Sequence, residues 1–586
     1  MVNSAEDRIS ELKSSVTWNA IRENGNENAL TKYVVHEGTV SVPSSYERGV
    51  AATPIPLYVQ KFTTSKGVTP IYHLIFMAGG PGGNLRDYDA LLATFLNRYA
   101  SMACYTYDQR GVGKSALISN LDSRQLLERI NEVAQKAPFP LKDLTMTNDA
   151  LDVGMLTAAI RASPDWSPTA KLILFGSSYG GQLAHHVVEQ LPNTYDHVFA
   201  LMPYRLGETG SASSYLGVLE ACDTDVECRR RMGGNVKLVM EEALRNIANP
   251  KYNECTAMLH ASLKRPLGDA SQGTFMLDFI NMFVGMITNK APQLANVKDL
   301  DSIQVIMAMI KATNDCRVPS AYKEQVLKAM APYTSSSTNQ GIQVHSDQSD
   351  VNILVNTMVT LDTNFDFVKK GKPSKPSSYL DLAPDVIYPF NYYPFFERLK
   401  SHLGQAQRSV VKPIDTPRTA VHIANGSIDM ITTPHHAYAR FQAAKAPVKS
   451  WVLFKNGNHD LVWGRHAMQW FQAAIEGYSF DHLESEIAAA APVLDWTFSA
   501  HPQFAPIWNQ VRVGEDPGRS LKESLPAFAY YNKDGKPENF IYWRRPSFWV
   551  MVGSGLCLAI VSVALVTFWA VKKRRRPAAK ESQTLN

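Results

Sequence analysis

The stretch "KLILFGSSYGGQLAHHVVEQ", Lys171 to Gln190, decides how the rest of the chain is read. An apolar run enters a knot of glycine and serine, and a helical pattern leaves it. Gly176, Ser178 and Gly180 fit G-x-S-x-G, and Gly181 adds further room. In that motif a strand breaks sharply into a helix, and the central serine sits in a strained backbone conformation with its hydroxyl exposed. Small neighbours are required because a Cβ would collide with the tightened backbone. Taken alone, the pattern also fits an ordinary glycine-rich turn, so the partners must be sought elsewhere.

Working outward, continuous apolar runs recur and each stops at a turn. "IYHLIFM", Ile71 to Met77, stops at "AGGPGG", and "ACYTY", Ala103 to Tyr107, stops at "DQRGVGKS". "HVFAL", His197 to Leu201, "AVHIA", Ala420 to Ala424, and "SWVLF", Ser450 to Phe454, continue the series. Such runs, alternating with helical stretches, predict strands of a parallel sheet buried on both faces. "YVVHEGTVSVP" and "IPLYVQKF", between Tyr33 and Thr64, read as preceding strands joined by the turn-forming "SSYERG".

A serine hydroxyl is a weak nucleophile at neutral pH and needs a base, which in turn needs a partner to fix its tautomer. In this architecture the expected order is Ser, then an acid, then His. Asp429 follows "AVHIA" in the turn-rich "NGSIDMITTP", and His459 follows "SWVLF" in "KNGNHD". Both lie at strand C-terminal ends, where open α/β sheets bind ligands. Fifteen histidines compete. His185 and His186 fall in the helix after the serine, and His435 and His436 precede the last core strand, so His459 alone occupies the expected loop. Asp460 would have to fold back beside its own neighbour. The oxyanion formed during attack requires backbone donors. The N–H of Tyr179, after the nucleophile, is one, and the glycine loop "MAGGPGG", Met77 to Gly83, offers the other at Gly80 or a neighbour.

"GGPGG", "DQRGVGKS" and "GSSYGG", in that order, resemble the serine peptidases of the prolyl and tripeptidyl aminopeptidase group, the S33 family. "GTVSVPSSYERG" followed by "IPLYVQKF" resembles the N-terminal strands of the tripeptidyl branch. The likeness covers about 33–204 and 419–478. It implies an α/β-hydrolase fold, with Ser178 as nucleophile, Asp429 as acid, His459 as base, and Gly80 and Tyr179 as oxyanion donors. Ala78 stands where prolyl aminopeptidases carry a histidine. Members of the prolyl type hold the substrate's amino group with lid acids. Glu208, Glu220, Glu227, Glu241 and Glu242 are available, and no motif chooses among them.

The remaining features bear on where the protein sits and how it is organised. With 586 residues, 45% hydrophobic and 19% charged, the chain is a folded protein long enough for one core with a large insertion. A net charge of +5 gives no reason to expect a nucleic-acid partner. "FWVMVGSGLCLAIVSVALVTFWAV", Phe548 to Val571, carries no charge and is long enough to span a bilayer. "KKRRR" follows it, which favours a cytoplasmic tail and an extracytoplasmic catalytic part. The opening "MVNSAEDRISELKSS" has no apolar secretion signal, so a tail-anchored protein facing the cytosol is the alternative. Cys222, Cys228, Cys255 and Cys316 cluster in the middle of the chain as two disulfides with three possible pairings. Their spacings lack a close C-x-x-C pair, so no metal site is expected, and no cofactor is implied.

The expected organisation is therefore 1–204 and 418–490 as the two halves of an α/β-hydrolase core, with 205–417 as a mainly helical lid. A juxtamembrane extension, 491–546, then leads to a transmembrane helix, 547–571, and a basic tail, 572–586. The expected activity is that of a membrane-anchored serine hydrolase releasing short N-terminal units from peptides. An esterase or lipase-like enzyme with the same triad is the first alternative. An inactive receptor or adhesion module on this scaffold is the second.

Overall fold

The computed structural model describes residues 5–12, 15–24, 32–65, 67–83, 88–119, 123–203, 216–262, 302–327, 352–363, 399–402, 409–429, 432–459, 465–476 and shorter pieces from 483 to 531. The expected span Phe548 to Val571 and the basic tail lie outside the described residues, as do Glu208 and Asp460. Among the described residues no helix is long and apolar enough to cross a membrane.

Among the described residues ten strands form one sheet: β1 (Asn19–Asn24), β2 (Tyr33–Pro43), β3 (Pro54–Thr64), β4 (Tyr72–Met77), β5 (Met102–Tyr107), β6 (Lys171–Ser177), β7 (His197–Leu201), β8 (Ala420–Gly426), β9 (Lys449–Phe454) and β10 (Phe528–Tyr531). Their spatial order is β1-β2-β3-β5-β4-β6-β7-β8-β9-β10. The six central strands, β5 to β9 in that order, run parallel. Antiparallel pairs close both ends. The chain leaves β4 toward β5, returns to the opposite side of β4 at β6, and from there proceeds in the other direction. Sheet order thus reverses between β4 and β6, the kind of switch point beyond whose strand ends open α/β sheets bind their ligands.

The apolar runs read from the sequence form the strands because helices cover both faces. Every residue of β5 and β8 is buried. On one face the helices Met146–Arg161, Tyr179–Gln190 and Pro434–Ala443 pack over Val198, Ile423 and Trp451. Met146–Arg161 is buried almost all round, and its N-cap Thr145 accepts from the N–H of Asn148. On the other face Phe95, Phe175, Phe199, Trp470 and Phe471 meet largely edge to face. Rings of this size give the most burial per residue, about 1.5–3 kcal/mol each.

The described helices between β7 and β8 fall into two groups. Helices Leu216–Thr224, Val226–Met232, Val236–Ile247, Glu254–Ser262 and Ser302–Asp315 share a second hydrophobic cluster, a cap. Helix Ile353–Thr363 instead buries Leu354, Val355, Met358 and Val359 in the main core. The cap is stapled by Cys222–Cys228 and Cys255–Cys316, which resolves the three pairings left open by the sequence. Chain beyond 490 folds back: Trp496, Trp508 and Val511 complete the cap cluster, and β10 extends the sheet from β9. Asp516 takes a bidentate pair from Arg229 at 2.7 Å, and Asp223 accepts from the N–H groups of Ser520 and Leu521.

Buried histidines give the fold a definite pH response. Burial pushes His73 and His197 down to about 4, His185 to about 3, and lowers His422 as well. All four stay neutral in the folded chain, whereas the unfolded chain takes up protons near pH 6.5. Their contribution is complete above pH 6.5 and is lost as pH falls toward 4. Asp149 acts in the opposite sense, since burial raises it to about 7 and favours its neutral form at lower pH. Burial raises Asp152 in the same sense, but the four histidines outweigh the two carboxyls, so we expect Tm to fall steadily from pH 6.5 to 4.5. A Tm at pH 4.5 equal to that at pH 7 would contradict this account.

Candidate active site

Ser178 follows β6 directly and occupies the N-cap position of helix Tyr179–Gln190, with φ 56° and ψ −122°. A non-glycine residue held there carries about 1–3 kcal/mol of strain, which the surrounding packing must sustain. The glycines explain how the turn fits. A Cβ on Gly176 would lie 2.0 Å from the Gly180 carbonyl oxygen, and one on Gly180 would lie 2.0 Å from that of Met77. The N–H of Ser178 donates to the Leu201 carbonyl at 2.9 Å, tying the elbow to β7.

The Ser178 hydroxyl stands 3.1 Å from His459 Nε2, and His459 Nδ1 stands 2.9 Å from Asp429 Oδ2. With a carboxylate at Nδ1, the ring proton belongs on that nitrogen, and Nε2 is left to accept from serine. His459 keeps 21% of its side chain exposed, while Asp429 has none. Asp429 is held from a third side as well. The N–H of Thr432 donates to Oδ1 at 2.9 Å, and the Thr432 hydroxyl donates to Oδ2 at 2.6 Å. The Thr432 oxygen also lies 3.2 Å from His459 Nδ1, so threonine and aspartate together brace the imidazole.

The loops bearing acid and base are stitched to each other. The N–H of Ile428 donates to the Gly457 carbonyl, and the N–H of Asn456 donates to the Ser427 hydroxyl at 2.8 Å. A Cβ on Gly426 would lie 2.2 Å from the Gly457 oxygen, so only glycine allows β8 and β9 to end this close. The cap reaches the same place. Ile428 belongs to its cluster, and a Cβ on Gly217 would lie 1.6 Å from the Ser427 oxygen.

Register Met77↔Gly176 runs the glycine loop after β4 alongside the elbow. A Cβ on Gly79 would come 3.4 Å from Ser178 Cβ and 3.8 Å from its Oγ. Gly80 follows with φ 119° and precedes Pro81 through a cis peptide. Both nominated donors therefore flank the switch point, with Tyr179 on the β6 side and Gly80 on the β4 side. The Tyr179 side chain runs inward, and its hydroxyl donates to Asp149 at 2.7 Å. Asp149 and Asp152 flank the buried Arg110 of "DQRGVGKS", which donates to Asp152 at 2.8 and 2.6 Å. Arg110 also reaches the carbonyls of Ser44 and Asp143. This portion of the motif builds the foundation of the elbow.

The competing histidines have other work. His186 meets Thr147 and Glu189, and His185 is buried in the elbow helix. Among the possible amine-binding acids, Glu227 pairs with Arg231 and Glu241 with Arg245 on the cap. Sequence reasoning did not find Thr432. A hydroxyl three positions after the acid was its only signal, and short side chains commonly bond to nearby backbone in this way. No cluster suited to a metal ion occurs among the described residues.

No protein-family profile and no curated protein match the chain. Solved structures with similar arrangements include an acetyl xylan esterase from Thermoanaerobacterium sp., 11% identical over 81% of this chain and 92% of that one, TM-score 0.33. A proline iminopeptidase from Mycobacterium smegmatis is 15% identical over 77% and 99%, TM-score 0.31. A peroxisomal alpha-beta-hydrolase from Saccharomyces cerevisiae is 12% identical over 85% and 96%, TM-score 0.30. Likenesses at this level carry no argument about activity. The strand order, the switch point between β4 and β6, and the strained serine between strand and helix are what give the chain an α/β-hydrolase fold.

Proposed function

We propose that the chain is a serine hydrolase acting through an acyl-enzyme, and that its substrates are short peptides opened from the N-terminus. The observation that carries the hydrolase reading is the hydrogen-bond relay Ser178–His459–Asp429, at 3.1 and 2.9 Å. Ser178 Oγ attacks the carbonyl carbon while its proton passes to His459 Nε2. Asp429 and Thr432 stabilise the resulting imidazolium. The carbonyl oxygen becomes the oxyanion, facing the N–H groups of Tyr179 and the glycine loop. His459 then gives its proton to the leaving amine, and water repeats the sequence to free the acid. The exopeptidase reading is supported by the three ordered motifs and by a cap that packs directly on the acid loop, an arrangement suited to small substrates.

The catalytic body is proposed to sit outside the cytoplasm, tethered by Phe548 to Val571. Two disulfides in the cap support an oxidising compartment. One experiment addresses both claims. A membrane-impermeant fluorophosphonate applied to intact cells is expected to label the chain at Ser178. Labelling only by a permeant probe would place the body in the cytosol, and labelling by neither would overturn the hydrolase reading. Purified enzyme should then cleave aminoacyl and short peptide amides with a free amino terminus at least about tenfold better than N-blocked ones. Indifference to the amino terminus, with faster turnover of simple acyl esters, would favour an esterase.

A further inference from the structure

The glycine loop Ala78–Gly83 is gripped by residues the triad does not use. Gln109, from "DQRGVGKS", is 1% exposed. Its Oε1 accepts from the N–H of Gly82 at 2.7 Å, and its Nε2 donates to the Ala78 carbonyl at 3.2 Å. The amide thus bridges both arms of the loop, and only this orientation satisfies both contacts. From the other side comes the start of helix Ile353–Thr363. The N–H of Asn352 donates to the Gly82 carbonyl at 2.8 Å, and Asn356 Nδ2 donates to the Pro81 carbonyl at 3.0 Å.

Asn352 is itself fixed. Its Oδ1 accepts from the N–H groups of Leu354 and Val355, which caps the helix, and its Nδ2 donates to the Ile118 carbonyl at 2.8 Å. The fit is close, since a Cβ on Gly82 would come 2.7 Å from the backbone carbonyl oxygen of Asn352. Four hydrogen bonds therefore hold three residues of the loop, Pro81 through its carbonyl, Gly82 through both its polar groups, and the loop's entry at Ala78. Glycine-rich backbone has no side chains with which to hold itself, so its conformation must be imposed from outside.

We propose that Gln109 and Asn356 are positioning residues that set the glycine loop so that its N–H faces the developing oxyanion. The inference rests on the serine-hydrolase reading given above. It assigns a role to the "Q" of "DQRGVGKS" and brings a helix from the long connection between β7 and β8 into the catalytic apparatus. The clamp acts on the loop and not on substrate, so loosening it weakens stabilisation of the tetrahedral state while leaving ground-state binding intact.

Gln109→Glu keeps an acceptor for Gly82 and loses the donor to Ala78. Asn356→Asp keeps its shape and loses the donor to Pro81. Each is expected to lower kcat about 10-fold or more with KM within about twofold, since loss of a complete oxyanion donor costs roughly 10²–10³. Affinity for a boronic acid, which mimics the tetrahedral state, should fall in parallel with kcat, while a substrate-like competitive inhibitor binds as before. Asn356→Gln should recover part of the loss. Should wild-type chain fail to take a fluorophosphonate at Ser178, the hydrolase reading itself is lost. With wild-type labelling intact, variants with unchanged kcat and boronate affinity would overturn the clamp alone. Parallel loss of boronate and substrate-like inhibitor binding would also overturn it, by showing general damage to the site. If Gln109→Glu does not fold, Asn356→Asp, at the edge of the helix, carries the same measurement.

Discussion

Ser178→Ala is expected to lower kcat by about 10⁶-fold and to abolish fluorophosphonate labelling, with Tm unchanged or raised. Only Oγ is removed, and the backbone bonds of residue 178 to Leu201 and from Gln182 persist, so the elbow keeps its shape. Asp429→Asn is expected to cost about 10⁴-fold in kcat with little change in KM. The reason lies in how the acid is held. The N–H of Thr432 requires an oxygen at the Oδ1 position, so the new NH₂ must take the place of Oδ2, facing His459 Nδ1. The imidazole then shifts its proton to Nε2 and can no longer accept from serine. Ser178→Ala retaining more than about a hundredth of wild-type turnover would show that the hydrolysis arises elsewhere.

Gly180→Ala is expected to damage folding severely. The added carbon would sit 2.0 Å from the Met77 oxygen and 2.7 Å from that of Ala78, both backbone atoms of a central strand and the loop leaving it. Neither can retreat without pulling β4 from its pairing with β6. A cost of about 4 kcal/mol or more follows, seen as failure to accumulate or as a Tm lower by about 10 °C. Gly233→Ala is the control. That glycine ends helix Val226–Met232 with φ 71°, and nothing lies within 4 Å of an added Cβ. It should cost only the backbone strain, about 1 kcal/mol. Equal effects at the two sites would refute the steric account of the elbow.

The sequence was most legible where burial is two-sided. β4 to β9 are read directly from apolar runs, because a parallel strand covered on both faces is apolar at most of its positions. The three relay residues are legible for a related reason, as each follows one of those runs at its C-terminal end. Legibility fails where structure depends on partners far along the chain. β10 is four residues, "FAYY", and becomes a strand only because β9 offers a free edge. Helix Ile353–Thr363 lies within a region expected to form a lid, and nothing in its periodicity says which of two cores it joins. Gln109 and Asn356 act through single hydrogen bonds to distant backbone, which leave no repeating trace. The glycine loop itself is visible in the sequence, but what grips it is seen only in three dimensions.

The return of the chain after 490 also governs how a shortened protein can be made for biochemistry. Stopping at 490 looks natural, since the series of parallel strands is already complete. Such a fragment would leave vacant the slots filled by Trp496 and Trp508, strip the carboxylate from Arg229, and bare the margin of β9, the strand that delivers His459. Unsheltered β margins recruit other chains. A soluble version must therefore run through Tyr531, and clumping of anything shorter would be a symptom of the missing last rung.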